Sequence, residues 1–257
     1  MDMIIAAFFR TAADGDPVVR RNVCTGLVLL LASRPEKLVP EMHNVAEYML
    51  YSTQDPNSIV ALEACEFWLT FAEDPDLQPH LAPYLPRVAP VLLESMVYSD
   101  EDLLWLDDDA EDAHVPDRDQ DIKPRHYESK AHGLEHESTT NGERPAGSDD
   151  EDDDDLLDED EDMSTEWNLR KCAAAALDVL AVRFGNQLLH PLLPHLKEKL
   201  WSLDWKQKES GILALGALAD GCIEDMQPHL STLVPFLVNC LNDQKVSREP
   251  SHHYNGV

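Results

Sequence analysis

The sequence has little positive charge and no long apolar run. Only 20 of its 257 residues are Lys or Arg, against 50 that are Asp or Glu, which gives a formal net charge of −30. No apolar stretch reaches the roughly 18 residues that span a membrane, and the N-terminus lacks the basic and small-residue ends of a signal peptide. We therefore expect a soluble, non-secreted chain that favours basic partners and binds neither nucleic acid directly nor membranes.

Signals for catalysis and for metal binding are also missing. The sequence contains no glycine-rich phosphate loop, no nucleophile elbow and no Ser/His/Asp arrangement, so we expect neither an enzyme nor a cofactor. His126, His132 and His136 fall in a predicted loop, which indicates solvated side chains and no metal site. The cysteines form no C-x-x-C pair, and their apolar helical surroundings predict reduced core residues of an intracellular protein. They are Cys24, Cys65, Cys172, Cys222 and Cys240.

The acidity is concentrated in one segment. Residues 99–162 contain 27 of the 50 acidic residues and five of the 20 basic ones, whereas the remainder has the composition of an ordinary soluble protein. Few aliphatic side chains accompany the acidic ones, so this segment cannot bury enough apolar area to offset its chain entropy. We expect it to be a disordered loop.

A two-helix pattern recurs along the rest of the chain. Helix starts align without gaps at Asp16, Glu166 and Asp204, and a fourth at Asp55 fits more loosely. Corresponding residues lie 39 positions apart in one pair of repeats and 38 apart in another. A proline inside an apolar helix also recurs, at Pro90, Pro194 and Pro235. Two helices per 38 to 39 residues are typical of HEAT repeats, so we predict an all-α HEAT-repeat solenoid.

The acidic segment interrupts one helical pair. Pro194 precedes Trp205 by 11 residues, whereas Pro90 precedes Trp167 by 77, so about 66 residues are inserted. We predict HEAT repeats over residues 1–100 and 165–245, separated by an acidic disordered loop over residues 101–164. The predicted helix pairs are 1–12 with 18–32, 37–51 with 58–73, 84–98 with 165–183 and 187–202 with 205–220, followed by an unpaired helix over 226–241.

The abrupt end of the acidic run at the next helix has two interpretations. Ser164 or Thr165 can cap that helix, and carboxylates just before the cap interact favourably with its positive N-terminal end. Alternatively, the run only keeps a loop soluble.

The helix predicted from residue 167 to residue 184 has two distinct faces. One is an apolar stripe that should pack on the partner helix. The stripe comprises Leu169, Ala173, Ala176, Leu177, Leu180 and Phe184. Ala175 and Asp178 lie on the far side, and Leu213, 38 residues after Ala175, is its equivalent. These three residues form either part of a peptide groove or a packing contact between repeats, assisted by Val179 and Val182.

Several stretches resemble the central HEAT repeats of the transportins, which are nuclear import receptors of the karyopherin-beta family. They include "NVCTGLVLLL", "HNVAEYML", "VALEACEFWLT" and "KESGILALGALADGC". The stretch "PDRDQDIKPR" inside an acidic loop, followed by "WNLRKC", is specific to transportins rather than to importins generally. The similarity covers about residues 1 to 245.

This resemblance implies a receptor that shuttles between cytoplasm and nucleus. Its implied partners are basic cargo proteins with a proline-tyrosine nuclear localisation signal, nucleoporins, and the GTP form of the small GTPase Ran, whose binding releases the cargo. It also implies that Ala175, Asp178 and Leu213 bind cargo, while the acidic loop couples Ran binding to cargo release. The implied coupling residues are Asp149, Asp150, Glu151, Asp152, Asp153, Asp154, Asp155, Asp158, Glu159, Asp160, Glu161 and Asp162.

The chain also departs from the family pattern. Residues 246–257, "VSREPSHHYNGV", are unlike a transportin, in which another inner helix would supply an isoleucine and a tryptophan to the cargo site. Trp205, at a helix start, is not that tryptophan, so we expect an incomplete site. Two other functions stay open: a structural HEAT scaffold whose loop aids solubility, and an acidic chaperone for basic proteins that acts through the loop.

Overall fold

The computed structural model describes residues 2–100, 102–103 and 167–241. Within these ranges there is no strand, and no helix is long and apolar enough to cross a membrane. The long helices are α1 (Asp2–Thr11), α2 (Pro17–Ser33), α3 (Met42–Ser52), α4 (Ser58–Glu73), α5 (Leu85–Ser95), α6 (Leu169–Phe184), α7 (Asn186–Leu200), α8 (Trp205–Ala219) and α9 (Leu230–Leu241). Single helical turns lead into α3 (Pro35–Leu38, Val39–Glu41), α5 (Pro75–Leu77, Gln78–Leu81, Ala82–Tyr84) and α9 (Ile223–Met226, Gln227–His229).

The helices form two layers. The even layer consists of α2, α4, α6 and α8, which pack against one another in succession, and each also packs on the odd-numbered helix before it. In the odd layer, α3, α5 and α7 pack in succession, and Trp201 after α7 stacks on Phe236 of α9 with ring centroids 5.1 Å apart. This is the repeated helical pair of a HEAT solenoid, so the predicted fold class is confirmed. Except for Asp102 and Leu103, the predicted acidic loop lies outside the described residues, as does the predicted tail.

Every helix of the even layer begins at a capping side chain. In each case an Asp or Asn carboxyl or amide oxygen accepts a hydrogen bond from a backbone N–H of the first turn. The pairs are Asp16 with Val18, Asn57 with Val60, Asn168 with Lys171 and Asp204 with Lys206. Such a cap satisfies one of the otherwise unpaired N–H groups at a helix start. At α2 and α8 the capping residue is the aspartate that marked the repeat in the sequence, whereas at α4 and α6 it is an asparagine.

The start of α6 differs from the prediction. The helix begins at Leu169 and not at residue 165, and the Asn168 side chain accepts from Lys171 N at 3.0 Å. Capping by Ser164 or Thr165 is therefore wrong. The sequence alignment of the repeats placed Glu166 opposite Asp204, but the capping residue of α6 is Asn168, two positions after Glu166. The same offset occurs in α4, where the cap is Asn57 and the aligned residue is Asp55.

The core is continuous along the solenoid, and α4 lies in its middle. Phe67, Trp68 and Phe71 are fully buried, with the Phe67 and Phe71 rings packed edge to face at 5.5 Å. The buried indole N–H of Trp68 donates to Thr53 Oγ1 at 2.9 Å, which ties the end of α3 to α4. Each of these large aromatic side chains removes a large apolar area from water, which helps hold the two layers together.

Proline and glycine shape the ends and bends of the helices. Pro90, Pro194 and Pro235 lie inside α5, α7 and α9, as predicted, where each removes a backbone donor. Gly185 ends α6 with φ of 49°, in the left-handed region that glycine adopts without strain. The chain reverses there directly into α7, so the α6–α7 connection is a single residue.

Candidate peptide-binding surface

The two predicted faces of α6 are present. Ala173, Ala176, Leu177 and Leu180 of the apolar stripe are fully buried, while Leu169 and Phe184 at its ends are half-buried. Cys172 and Ala181, which the sequence pattern left out, also belong to the buried face. The opposite face is a stripe at helical spacing that reaches solvent. It consists of Lys171, Ala175, Asp178 and Val182.

Leu213 lies on the corresponding face of α8. It is half-buried, and the residues at helical spacing around it, Glu209, Gly216 and Asp220, are half-buried or exposed. The opposite side of α8 is buried through Ser210, Gly211, Ala214, Leu215 and Leu218. Leu213 therefore stands at the edge of the solvent-facing side, with part of its side chain against the core.

The solvent-facing sides of α6 and α8 are neighbours because the two helices pack side by side. Arg170 in the first turn of α6 forms an ion pair with Glu209 of α8, which fixes the two helix starts relative to each other. We call the surface formed by Ala175, Asp178 and Leu213 the α6–α8 surface. Ala175 and Leu213 are half-buried and pack in part against the core. Val179 also packs against the core, whereas Val182 is 55% exposed.

Two carboxylates of α4 were missed by the sequence reasoning. Glu63 and Glu66 are buried, with 8% and 2% of their surface exposed. Thr25 Oγ1 donates to Glu63 Oε2 at 3.0 Å, and the indole N–H of Trp167 donates to Glu66 Oε1. Buried carboxylates need such partners, and these two connect α4 to α2 and to the start of α6. The available signal was two acids three residues apart inside the apolar stretch "LEACEFW".

The described residues on either side of the acidic segment lie next to each other. Asn168 Nδ2 is 3.5 Å from Asp102 Oδ1, and Lys206 Nζ of α8 is 4.0 Å from Asp100 Oδ1. The predicted coupling residues, from Asp149 to Asp162, lie outside the described residues. So do His126, His132 and His136. The described part of the chain contains no group of three His, Cys, Asp or Glu side chains arranged to hold a metal ion.

Comparisons with known proteins agree with this geometry. A HEAT-like repeat model matches residues 205–249. The chain is 46% identical to importin subunit beta-2 of Schizosaccharomyces pombe over 252 residues and 48% identical to mouse transportin-1 over 246 residues, each match covering 95% of this chain. It spans only 28% and 27% of the length of these two relatives.

The fold is that of solved karyopherins. Yeast importin-beta, Kap95p, has been solved with RanGDP and in a complex with Nup1, and both structures match with a TM-score of 0.64 over 96% of this chain and 24% of theirs, at 18% and 17% identity. That likeness concerns the fold alone. The identity to the beta-2 relatives along almost the whole sequence is much higher, and on that ground the chain belongs to the transportin, or importin beta-2, family of karyopherin-beta proteins.

Proposed function

We propose that this chain is the part of a nuclear import receptor that holds basic peptides carrying a proline-tyrosine signal. The observation that carries the proposal is the α6–α8 surface: a small residue, a carboxylate and an apolar side chain that reach solvent on two adjacent helices. In a HEAT array the second helix of each pair lines the concave side, where extended partners bind. These two helices are second members of their pairs.

Each residue of the surface has a distinct part in this proposal. Ala175 leaves room for a ring, Leu213 gives that ring an apolar wall, and Asp178 attracts a basic residue nearby. Burying one Tyr or Pro side chain contributes on the order of 1 to 2 kcal/mol at about 25 cal/mol per Å². Ordering a flexible peptide offsets much of that gain, so we expect weak binding by this chain alone.

The remaining partners follow from the family. We extend to this chain the two kinds of partner with which Kap95p has been solved, the GTPase Ran and a nucleoporin. In this proposal Ran in its GTP form releases the cargo, and the acidic residues 149–162 couple the two events by competing for the same basic peptide. Movement between cytoplasm and nucleus follows from these partners.

A peptide titration tests the cargo proposal. The probe is a labelled peptide with a basic N-terminal half and a C-terminal proline-tyrosine pair. Ala175→Trp should abolish binding by filling the space for the ring. Glu198→Lys, an exposed change on α7 of the odd layer, is the control and should leave binding unchanged. Equal binding by the wild type and Ala175→Trp would exclude the α6–α8 surface as the cargo site.

Replacing residues 104–166 by a short glycine-serine linker separates the proposal from its alternatives. The linker is feasible because Asp102 and Asn168 are in contact. An import receptor keeps its peptide affinity or gains some, whereas an acidic chaperone loses all binding of basic proteins. A structural scaffold binds the peptide in neither form.

A further inference from the structure

A groove with a volume of about 210 Å³ lies between α7 and α9, on the odd layer and not on the layer that carries the α6–α8 surface. Its floor is apolar and consists mainly of Leu189, Leu196, Leu200, Leu215, Met226 and Leu233. Trp201, which stacks on Phe236, also lines the groove. An apolar cavity of about 150 Å³ is large enough to bind benzene. The groove therefore has room for one large apolar side chain.

The charge around this groove is opposite to that of the chain as a whole. Lys197 and His229 are exposed at its rim, and Lys197 carries a positive charge. Within the described ranges no Asp or Glu lines the groove, although 50 of the 257 residues are acidic. In the neighbouring cleft between α5 and α7, by contrast, Glu94 and Glu198 accompany Lys199. The groove thus combines an apolar floor with a cationic rim that no lining carboxylate neutralises.

We propose that this groove binds the C-terminal residue of a partner protein that ends in leucine or in another large apolar residue. Such a residue carries an apolar side chain and a free carboxylate on the same Cα. The side chain enters the groove while the carboxylate lies beside Lys197, where a charge-assisted hydrogen bond forms. An internal leucine lacks that carboxylate, and a basic peptide is repelled by Lys197. The groove is therefore a second binding site, separate from the α6–α8 surface.

The probe is an acetylated peptide, Ser-Gly-Ser-Gly-Leu, with a free C-terminal carboxylate. One buried side chain gives weak binding, so we expect a Kd of about 1 mM. NMR detects binding in this range, and the indole N–H signal of Trp201 reports on the groove directly. The chain contains five tryptophans, and Trp201→Phe identifies the signal. Titration of the intact chain should shift this signal in a saturable way.

Two related peptides test the two halves of the proposal. The same peptide with a C-terminal amide keeps the leucine side chain and loses the charge, so it should bind at least fivefold more weakly. The peptide ending in alanine keeps the charge and loses most of the apolar side chain, so it should bind at least tenfold more weakly. Equal binding of the amide would show that the carboxylate is not recognised, and equal binding of the alanine peptide would show that the floor is not used. Either result would overturn the proposal.

The variant Lys197→Gln removes the charge at the rim. It should weaken binding of the leucine peptide by about threefold at low salt and leave binding of the amide unchanged. Lys37→Gln is the matched control, because Lys37 is also exposed on the odd-layer side of the chain, before α3, and its substitution changes the net charge equally. Equal weakening by the two variants would mean that only the overall charge attracts the peptide, and the proposal would be wrong.

A change in the groove itself completes the test. Leu193 is half-buried in its lining, and Leu193→Trp should abolish the Trp201 shift by filling the space, with a cooperative thermal transition showing that the variant is folded. Ala175→Trp, which fills the α6–α8 surface, should bind the leucine peptide as the wild type does. Loss of the basic peptide in Ala175→Trp with retention of the leucine peptide would support both sites. A wild type with no saturable shift at several millimolar leucine peptide would exclude the groove and leave the proposed function standing.

Discussion

The guanidinium of Arg170 lies over the ring of Tyr98, with its central carbon 3.9 Å from the ring centroid. In this position Arg170 Nε donates to the backbone oxygen of Met96 at 3.0 Å, and a terminal nitrogen donates to Glu209. One side chain thus joins the chain after α5, the first turn of α6 and the first turns of α8. Only 15% of the Arg170 side chain is exposed, so water replaces these contacts poorly.

Arg170→Met should therefore destabilise the fold. It retains a long apolar side chain but leaves the Met96 oxygen without its donor and Glu209 without its positive partner. We expect a loss of about 2 kcal/mol or more in the free energy of unfolding, measured by urea denaturation. Arg87→Met is the control, because Arg87 and its partner Glu47 are both exposed on the odd layer and their pair is screened by water. Equal losses in the two variants would contradict the role given to Arg170.

Gly221→Ala should be among the most damaging small substitutions in the chain. Its Cβ would lie 2.1 to 2.3 Å from the backbone of Ala181 and Val182, and backbone atoms cannot move aside as a flexible side chain can. We expect a loss of roughly 3 kcal/mol, measured by urea denaturation. Gly15→Ala is the control and should stay close to the wild type, because a Cβ on Gly15, in the turn between α1 and α2, would meet no atom within 4 Å. A Gly221→Ala protein of wild-type stability would mean that the turn after α8 does not pack against the end of α6.

The sequence predicts the helices well because their determinants are local. Helical periodicity and the recurrent prolines place the long helices within a few residues. α2 and α8 start where the Asp-Pro and Asp-Trp patterns indicate, whereas α4 and α6 start two residues later. The start of α6 was placed too early because several residues before it can cap a helix. Asn168 is the capping residue because of where the first turn of α6 packs, and this packing cannot be predicted from the local sequence.

The surroundings of Arg170 could not be predicted. Its contacts to Met96 and to Glu209 span 74 and 39 residues of sequence, and the first crosses the acidic segment. The repeat spacing does not give the length of an insertion, so it cannot relate Arg170 to Met96. Arg170 and Glu209 lie about one repeat apart, but that spacing does not show that their side chains meet. The residues of the α6–α8 surface were accessible to prediction, because the spacing of one repeat relates Ala175 to Leu213.

The stability of the first repeats should depend on acid pH through Asp55. The hydrogen-bonded guanidinium of Arg20, with Nε 2.9 Å from Oδ2, lowers the pKa of Asp55 below its usual value of 3.8. Because the folded state holds the proton less tightly than the unfolded chain, this stabilisation is present above about pH 4 and is lost as the pH falls through the lower folded pKa. The difference in unfolding free energy between the wild type and Asp55→Asn should shrink from pH 5 to about pH 2.

Arg20→Met is the control for that pH dependence. Without the guanidinium the pKa of Asp55 returns towards its usual value. In the Arg20→Met background, the effect of Asp55→Asn on the free energy of unfolding should therefore vary little with pH. If the pH dependence of the Asp55→Asn effect persists in the Arg20→Met background, another titrating group is responsible for it.

The native protein should resist alkylation. All five cysteines are buried, and burial raises the pKa of Cys24 and of Cys222 to about 11 each. At pH 8 very little reactive thiolate forms, and the reagent reaches it poorly. Mass spectrometry after iodoacetamide treatment should find almost no modification in buffer and five modified cysteines in 8 M urea. Because folding raises the pKa values of these two thiols, the stability that their protonated forms contribute is present below about pH 9 and is lost as the pH rises towards 11.

Asp178 should determine how tightly the α6–α8 surface holds a basic peptide. Asp178 is half-buried and lies about one turn after Ala175 on the solvent-facing side of α6. Asp178→Asn keeps the shape of the side chain and removes its charge, so it should weaken peptide binding by about threefold at low salt. Asp178→Lys should weaken peptide binding by more than tenfold through like-charge repulsion. In 0.5 M salt the screening length falls to roughly 4 Å, and the gap between the two variants should narrow. A peptide with its basic residues replaced by serine should bind the wild type and Asp178→Asn equally. If that neutral peptide discriminates between them as strongly as the basic one does, Asp178 acts on the shape of the surface and not through its charge.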